Sequence, residues 1–177
     1  MADNVKTEIL APILRVLNDL IANNFLSDYA IGGGVGVLYY VEPVLTYDFD
    51  VVCLFPDHST LIDPTPLFAE LKRQGCNFAH EDRISINGIL VQFIPAEPGL
   101  MEEALSNAVT VSIEGVTTRI LRLEYLMANM LRVFRAKDRA KLALIAESHS
   151  DSYDHKLLYN ILERHNLWDK WQNEFVS

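Results

Sequence analysis

Two aspartates separated by one residue, Asp48 and Asp50, begin an otherwise apolar run that extends to Phe55. Alternate side chains of a β-strand share a face, so the two carboxylates are predicted side by side, with Phe49 and Val51 opposite. Neighbouring carboxylates repel each other, and a divalent cation such as Mg²⁺ or Mn²⁺, which prefers oxygen ligands, removes that repulsion. The pair therefore predicts a metal site; the alternative is a solvated pair, or one that caps a neighbouring helix.

Glycines are concentrated just before this strand. Four of the chain's eight, Gly32, Gly33, Gly34 and Gly36, fall within five residues. Because glycine has no Cβ, backbone N–H groups at Gly33 and Gly34 can approach phosphate oxygens closely. A helix that begins after Gly34 would add its positive N-terminal end. Polyphosphate beside a metal-holding carboxylate pair is the arrangement used for phosphoryl and nucleotidyl transfer.

The spacing of these motifs also resembles a known family. Gly33-Gly34, thirteen residues and then Asp48-Phe49-Asp50 resemble the signature of the DNA polymerase β-like nucleotidyltransferase superfamily, in particular small nucleotidyltransferases related to the AbiEii toxin. The segment from Glu42 to Asp48, which includes Thr46, resembles that group's linker into the acidic strand. Far along the chain, Arg135-Ala136-Lys137-Asp138 resembles the Arg-x-Lys-Asp element that closes a helix in these proteins.

The resemblance implies a reaction. It is the Mg²⁺-dependent transfer of a nucleoside monophosphate from a nucleoside triphosphate (NTP) to a hydroxyl of a small molecule, a protein or an RNA end. Asp48 and Asp50 would bind Mg²⁺ or Mn²⁺. Gly33, Gly34 and Thr46 would bind the nucleotide. Arg135 and Lys137 would contact phosphate or the acceptor.

Four positions depart from the family pattern. The third catalytic position, normally a carboxylate, is Gln92, and an amide cannot accept the nucleophile's proton at neutral pH. Val44 stands where relatives often have Arg, Met130 stands where the helix commonly carries Lys, and Lys141 replaces an acid. The alternative hypothesis is therefore a catalytically impaired fold that acts as a nucleotide-binding or protein-interaction module, such as half of a toxin–antitoxin-like pair.

Periodicity and turn signals predict the elements that position these residues. The fold class is α/β (α+β): a mixed sheet flanked by helices, with a helical C-terminal part. At 177 residues a single domain is expected. It would comprise an N-terminal helix (1–24), a nucleotidyltransferase-like core (25–122) and the helical part (123–177).

Three local predictions bear on the site. Asn87-Gly88 between apolar runs predicts a hairpin, whose second strand, Ile89 to Ile94, is apolar enough to be buried on both faces. If that strand lies beside the Asp48 strand, Gln92 lies close to the aspartates. Arg135 and Lys137 would be about 200° apart on a continuous helix, so both reach one ligand only if the helix ends or bends near Ala136.

Charge limits the range of partners. The net charge of −9 argues against binding of long duplex nucleic acid. Seven of the fifteen Lys and Arg residues nevertheless lie between Arg119 and Lys141, which suits a small anionic ligand or a short nucleic-acid end, or else is a solvated helix face. No signal pattern and no apolar stretch of about 18 residues is present, so a cytoplasmic protein without a membrane partner is expected.

Overall fold

The computed structural model describes residues 9–41, 48–56, 63–80 and 83–176, and only the backbone of Asp48 and His80. Its helices are α1 (Ala11–Ala22), α2 (Gly33–Tyr40), α3 (Thr65–Arg73), α4 (Leu100–Ser106), α5 (Leu123–Val133), α6 (Ala136–Ser148), α7 (His155–Arg164) and α8 (Trp168–Phe175). Its strands are β1 (Asp28–Ile31), β2 (Asp48–Leu54), β3 (Asn77–His80), β4 (Arg83–Ile86), β5 (Ile89–Pro95), β6 (Val109–Ile113) and β7 (Val116–Ile120). Within these ranges no helix is long and apolar enough to cross a bilayer.

The strands form one mixed sheet in the order β3-β4-β5-β2-β1-β7-β6. Strand β2 lies at its centre, parallel to β5 and antiparallel to β1. Strand β1 also pairs in parallel with β7, and antiparallel neighbours complete both edges. The predicted α/β class, with a mixed sheet flanked by helices and a helical C-terminal part, is confirmed.

Alternation along β2 divides the molecule into two apolar layers. Phe49 and Val51 are buried on one face, in a cluster with residues of α1 and α3 such as Leu17 and Leu71. Val52 belongs to the opposite cluster, which is formed largely by α2, α4 and the C-terminal helices. Burying a side chain such as Phe49 contributes about 1.5–3 kcal/mol. This burial fixes the register of β2 and therefore the face on which Asp50 lies.

Helix α1 begins at Ala11 and has Pro12 in its first turn, where the missing N–H costs little. The carboxylate of Glu114, in the β6–β7 turn, accepts hydrogen bonds from the N–H groups of Ile9, Leu10 and Ala11. These N–H groups have no acceptor within the helix, and a negative charge favours a helix N-terminus. The predicted N-terminal helix is thus present from Ala11. Residues 9 and 10, which were predicted to belong to it, are bends, and residues 1–8 lie outside the described residues.

Strand β5 differs from its sequence prediction. Val91 and Phe93 are buried, but Leu90, Gln92 and Ile94 on the other face are only partly buried. Burial on both faces was therefore wrong, because the second face of β5 forms part of an open cleft. The hairpin before it is confirmed: Asn87 and Gly88 both have positive φ, 51° and 83°, as a type I′ turn requires.

The long C-terminal helix breaks where the sequence predicts. Helix α5 ends at Val133, Phe134 adopts a left-handed conformation (φ 53°, ψ 42°), and α6 begins at Ala136. A bulky residue in this conformation is unfavourable and needs support. Lys170 of α8 supplies it: its ammonium donates to the Leu131 carbonyl at 2.7 Å and lies 4.3 Å from the Phe134 ring centroid. The last helix thus fixes the direction in which α6 leaves α5.

A carboxylate joins three of the helices on that side. Glu103 of α4 accepts a hydrogen bond from Tyr125 Oη of α5 at 2.9 Å and is paired with Arg164 and His165 at the end of α7. Burial alone would raise the pKa of Glu103, but the hydrogen bonds from Arg164, His165 and Tyr125 outweigh it. Together they lower the pKa from 4.5 to about 2.

This network predicts a pH-dependent contribution to stability. A lowered carboxyl pKa stabilises the fold above about pH 4.5, and the contribution is lost as pH falls towards 2. Glu103→Gln should lower the free energy of unfolding by roughly 1–3 kcal/mol at pH 7. The difference from wild type should narrow between pH 4.5 and 2 in urea titrations. Glu102→Gln, an exposed neighbour, is the control, and an equal effect of both variants would contradict the role of Glu103.

Candidate functional site

A cleft of about 360 Å³ opens on the sheet face opposite α1 and α3. It is bounded by the start of α2, the strands β2 and β5, and the junction between α5 and α6. Its charged or amide-bearing lining residues are Asp50, Gln92, Glu97, Asn129, Arg132, Arg135, Lys137, Asp138 and Lys141. A volume of this size lies in the range of small-molecule sites, which is roughly 300–1,000 Å³.

Asp50 and Gln92 are direct neighbours across the parallel β2–β5 pair. Both are partly buried and both line the cleft, so the predicted placement of Gln92 beside the acidic strand is confirmed. Asp48 is the first residue of β2, where its backbone pairs with Leu90. Its carboxylate lies outside the described part of the structure, as do Val44 and Thr46.

Gly33 lies against the Asp50 carboxylate. A Cβ atom at Gly33 would be 1.8 Å from Oδ2 and 2.6 Å from Cγ of Asp50. Its φ of +53° is also a value that other residues rarely adopt. The Gly32 N–H donates to the Asp50 carbonyl at 2.9 Å, which extends the β1–β2 ladder up to the helix. Only glycine therefore allows the chain to turn from β1 into α2 so close to this carboxylate.

Helix α2 begins two residues earlier than predicted. The sequence predicts a start after Gly34, but the Gly36 N–H already donates to the Gly32 carbonyl at 2.8 Å, so Gly33 is the first helical residue. The first N–H groups of a helix have no acceptor within it. Gly33 and Gly34, which both line the cleft, thus contribute N–H groups at the positive end of α2.

The α5–α6 junction brings cations into the cleft. Arg135 precedes α6, and its guanidinium donates to the buried carboxylate of Asp138, with Nε 2.7 Å from Oδ2. The Asp138 carboxylate also accepts from the Arg135 backbone N–H at 3.1 Å and so caps the helix. The hydrogen bond to Asp138 and, to a lesser degree, the charge of Asp50 raise the pKa of Arg135. Lys137 lines the cleft as well, so both predicted cations reach it.

Lys141 is a cleft residue that the sequence analysis did not assign to the site. It lies one helical turn after Lys137 and is partly buried. Burial and the neighbouring Lys137 lower the pKa of Lys141, while Asp138 and Asp50 act in the opposite direction. The i, i+4 spacing of the two lysines was the available signal, because such residues share a helix face.

The donors in the cleft suit a hard cation in part. The Asp50 carboxylate and the Gln92 amide provide oxygen ligands of the kind that Mg²⁺ and Mn²⁺ prefer. Among the side chains that the structure describes, no three His, Cys, Asp or Glu residues lie together as a metal site. The Asp48 carboxylate is not among those side chains, so metal binding by Asp48 and Asp50 and nucleotide binding by Thr46 stay predictions.

Comparison with solved structures identifies the fold of the chain. A nucleotidyltransferase-like protein from Paracoccidioides brasiliensis, described as antigenic, superposes with a TM-score of 0.57 at 12% identity, over 97% of this chain and 95% of that one. The antibiotic-resistance factor ANT(2'')-Ia gives 0.51 at 15% identity, over 93% and 96%. The chain has a nucleotidyltransferase-like fold. No protein-family model and no curated protein matches the sequence.

Three of the four departures noted in the sequence lie in this cleft, and the fourth, Val44, lies outside the described residues. Gln92, Met130 and Lys141 all line the cleft. Met130 contributes an apolar surface, and Gln92 contributes a neutral amide opposite Asp50. The cleft therefore contains the glycine turn and Asp50, while three of its lining positions differ from the pattern that the resemblance implies.

Proposed function

We propose that the protein is a Mg²⁺-dependent nucleotidyltransferase, which transfers a nucleoside monophosphate from an NTP to a hydroxyl of a small molecule, a protein or an RNA end. The observation that carries the proposal is the contact between Gly33 and Asp50: helix N–H groups and a carboxylate face the same cleft. The nucleotidyltransferase-like fold supports it. Arg135 and Lys137, which line the same cleft, are cations that suit a polyphosphate.

Each residue has a distinct role in this proposal. Asp50, together with Asp48, would hold the metal, which when bound polarises the α-phosphate and stabilises the leaving pyrophosphate. The N–H groups of Gly33 and Gly34 orient the phosphates, and Arg135 and Lys137 stabilise negative charge on them. Gln92 cannot accept the proton of the acceptor hydroxyl, so this proton must pass to solvent instead. Turnover should therefore be slow.

The metal site is tested by nucleotide binding. Calorimetry with ATP should show an affinity at least about tenfold higher with Mn²⁺ than with EDTA, a difference of about 1.4 kcal/mol. Combined replacement of Asp48 and Asp50 by alanine should remove this gain. Asp19→Ala, an exposed position on α1 away from the cleft, should leave it unchanged. Equal Mn²⁺-dependent affinity in the double variant would eliminate the site.

A second function has its own support. Gln92 opposite Asp50 favours a nucleotide-binding or protein-interaction module that has lost the reaction, as in a toxin–antitoxin-like pair. Incubation with labelled NTPs and Mg²⁺ separates the two hypotheses. Pyrophosphate release supports the transferase, and nucleotide binding without release supports the binding module.

A further inference from the structure

Two lysines on α6 face the cleft together. Lys137 and Lys141 are four residues apart, which places them on the same side of the helix, and both line the cleft. Like charges at this spacing repel each other and weaken a helix. An anion that lies close to both ammonium groups removes this repulsion.

The other cations of the cleft already have carboxylate partners. Arg135 is paired with Asp138, and Arg132 lies 3.7 Å from Glu97. Lys137 and Lys141, in contrast, form no hydrogen bond or ion pair with any residue that the structure describes. Lys141 is also partly buried. Asp138 and Asp50 act on the charge of Lys141 without pairing with it, and Lys137 and Arg135 act against it. A partly buried cation that lacks a direct partner is unfavourable, so an anion from solvent is the expected partner.

The position of the pair indicates which anion. Both lysines share the cleft with Asp50 and with the N–H groups at the start of α2. Asp50 is close enough to Lys141 to act on its charge. A polyphosphate held by Gly33 and Gly34 would therefore lie in the same cleft as the two lysines. The amide of Gln92, next to Asp50, adds no negative charge that would repel a polyphosphate.

We propose that Lys141 and Lys137 form a polyphosphate-binding pair, which takes the terminal phosphates of the NTP and does so without a divalent metal. The identity of the ligand as an NTP rests on the proposed function. The affinity of the lysine pair for polyphosphate does not, because it depends on charge and geometry alone. Lys141 thus binds substrate, and the pair neutralises part of the negative phosphate charge that a metal ion would otherwise neutralise.

The test uses inorganic tripolyphosphate, the full chain and EDTA. Calorimetry at low salt should show binding to the wild type that weakens as NaCl is added. Lys141→Gln should weaken it about tenfold, since charge-assisted hydrogen bonds to phosphate are strong. Lys141→Arg should keep most of the affinity because it keeps the charge. Lys72→Gln, at an exposed site on α3, is the matched control and should have no effect.

Other outcomes decide against the pair. No tripolyphosphate binding in EDTA, or equal affinity of wild type and Lys141→Gln, would overturn it. Lys141→Gln relieves repulsion from Lys137, so its melting temperature should equal or exceed that of the wild type, and a marked loss would instead indicate a structural role. If tripolyphosphate binds through Lys141 but no NTP releases pyrophosphate, the pair stands and the proposed transferase does not. If an NTP does release pyrophosphate and Lys141→Gln leaves this turnover unchanged, the proposed transferase stands and the lysine pair does not.

Discussion

Replacement of Gln92 by aspartate is expected to raise NTP turnover by about 10²–10⁴-fold, the usual contribution of a general base. Gln92 is the direct neighbour of Asp50 across the β2–β5 pair and lines the same cleft. A carboxylate there supplies both a metal ligand and an acceptor for the proton of the attacking hydroxyl. The gain should appear as pyrophosphate release from labelled NTP with Mg²⁺.

Two further measurements make this test specific. Gln92→Asn keeps an amide in a shorter side chain and should give no gain. The Gln92→Asp variant should melt at a lower temperature in EDTA than in Mg²⁺, because carboxylates crowd around Asp50 when no cation separates them. A variant that changes neither metal affinity nor turnover would contradict the transferase and favour the binding module.

Gly33→Ala is expected to damage both the fold and the cleft. The left-handed backbone alone costs roughly 1–2 kcal/mol for a residue with a Cβ. The new atom would also lie 1.8 Å from Asp50 Oδ2, so the carboxylate has to move out of the cleft. We therefore expect a loss in urea stability larger than the backbone cost, together with loss of Mn²⁺-dependent ATP binding.

A matched glycine separates the two causes. Gly115, in the β6–β7 turn, has a φ of +76° and no atom within 4 Å of the Cβ position. Gly115→Ala should show the backbone cost and leave nucleotide binding intact. Combining Gly33→Ala with Asp50→Ala should recover part of the lost stability, since the Cβ of residue 50, at 2.9 Å, remains. Equal losses for Gly33→Ala and Gly115→Ala would contradict the close contact with Asp50.

Local patterns explain why much of this cleft was predictable. The spacing of the Gly33 turn and Asp50, the hairpin at Asn87 and the helix break near Ala136 are each encoded within a short segment. The partial exposure of β5 and the position of Lys141 in the cleft were not fully predictable in this way, because the i, i+4 spacing indicates only that Lys141 shares a helix face with Lys137. Both depend on which part of the sheet α6 leaves uncovered. The direction of α6 relative to α5 is in turn fixed by contacts of Lys170, in α8, with the α5–α6 junction.

The helix start at Gly33 was misplaced for a related reason. Gly33 has a positive φ, which is typical of a residue that precedes a helix. The hydrogen bond from the Gly36 N–H to the Gly32 carbonyl nevertheless makes Gly33 the first helical residue. This outcome depends on the position of β2, because Gly32 is held by the Asp50 carbonyl. Strand β2, which lies later in the sequence, thus determines where α2 begins.

The parallel pairing of β2 with β5 has a consequence for folding. Its two strands are separated by α3 and the β3–β4 hairpin, so a long loop must close before Asp50 meets Gln92. Non-local pairings of this kind slow folding, because chain entropy is lost before the contacts form. No partly folded species that lacks this pairing contains the cleft. A nucleotide at 100 times its Kd should therefore stabilise only the native state, by about 2.7 kcal/mol, and retard unfolding rather than accelerate folding.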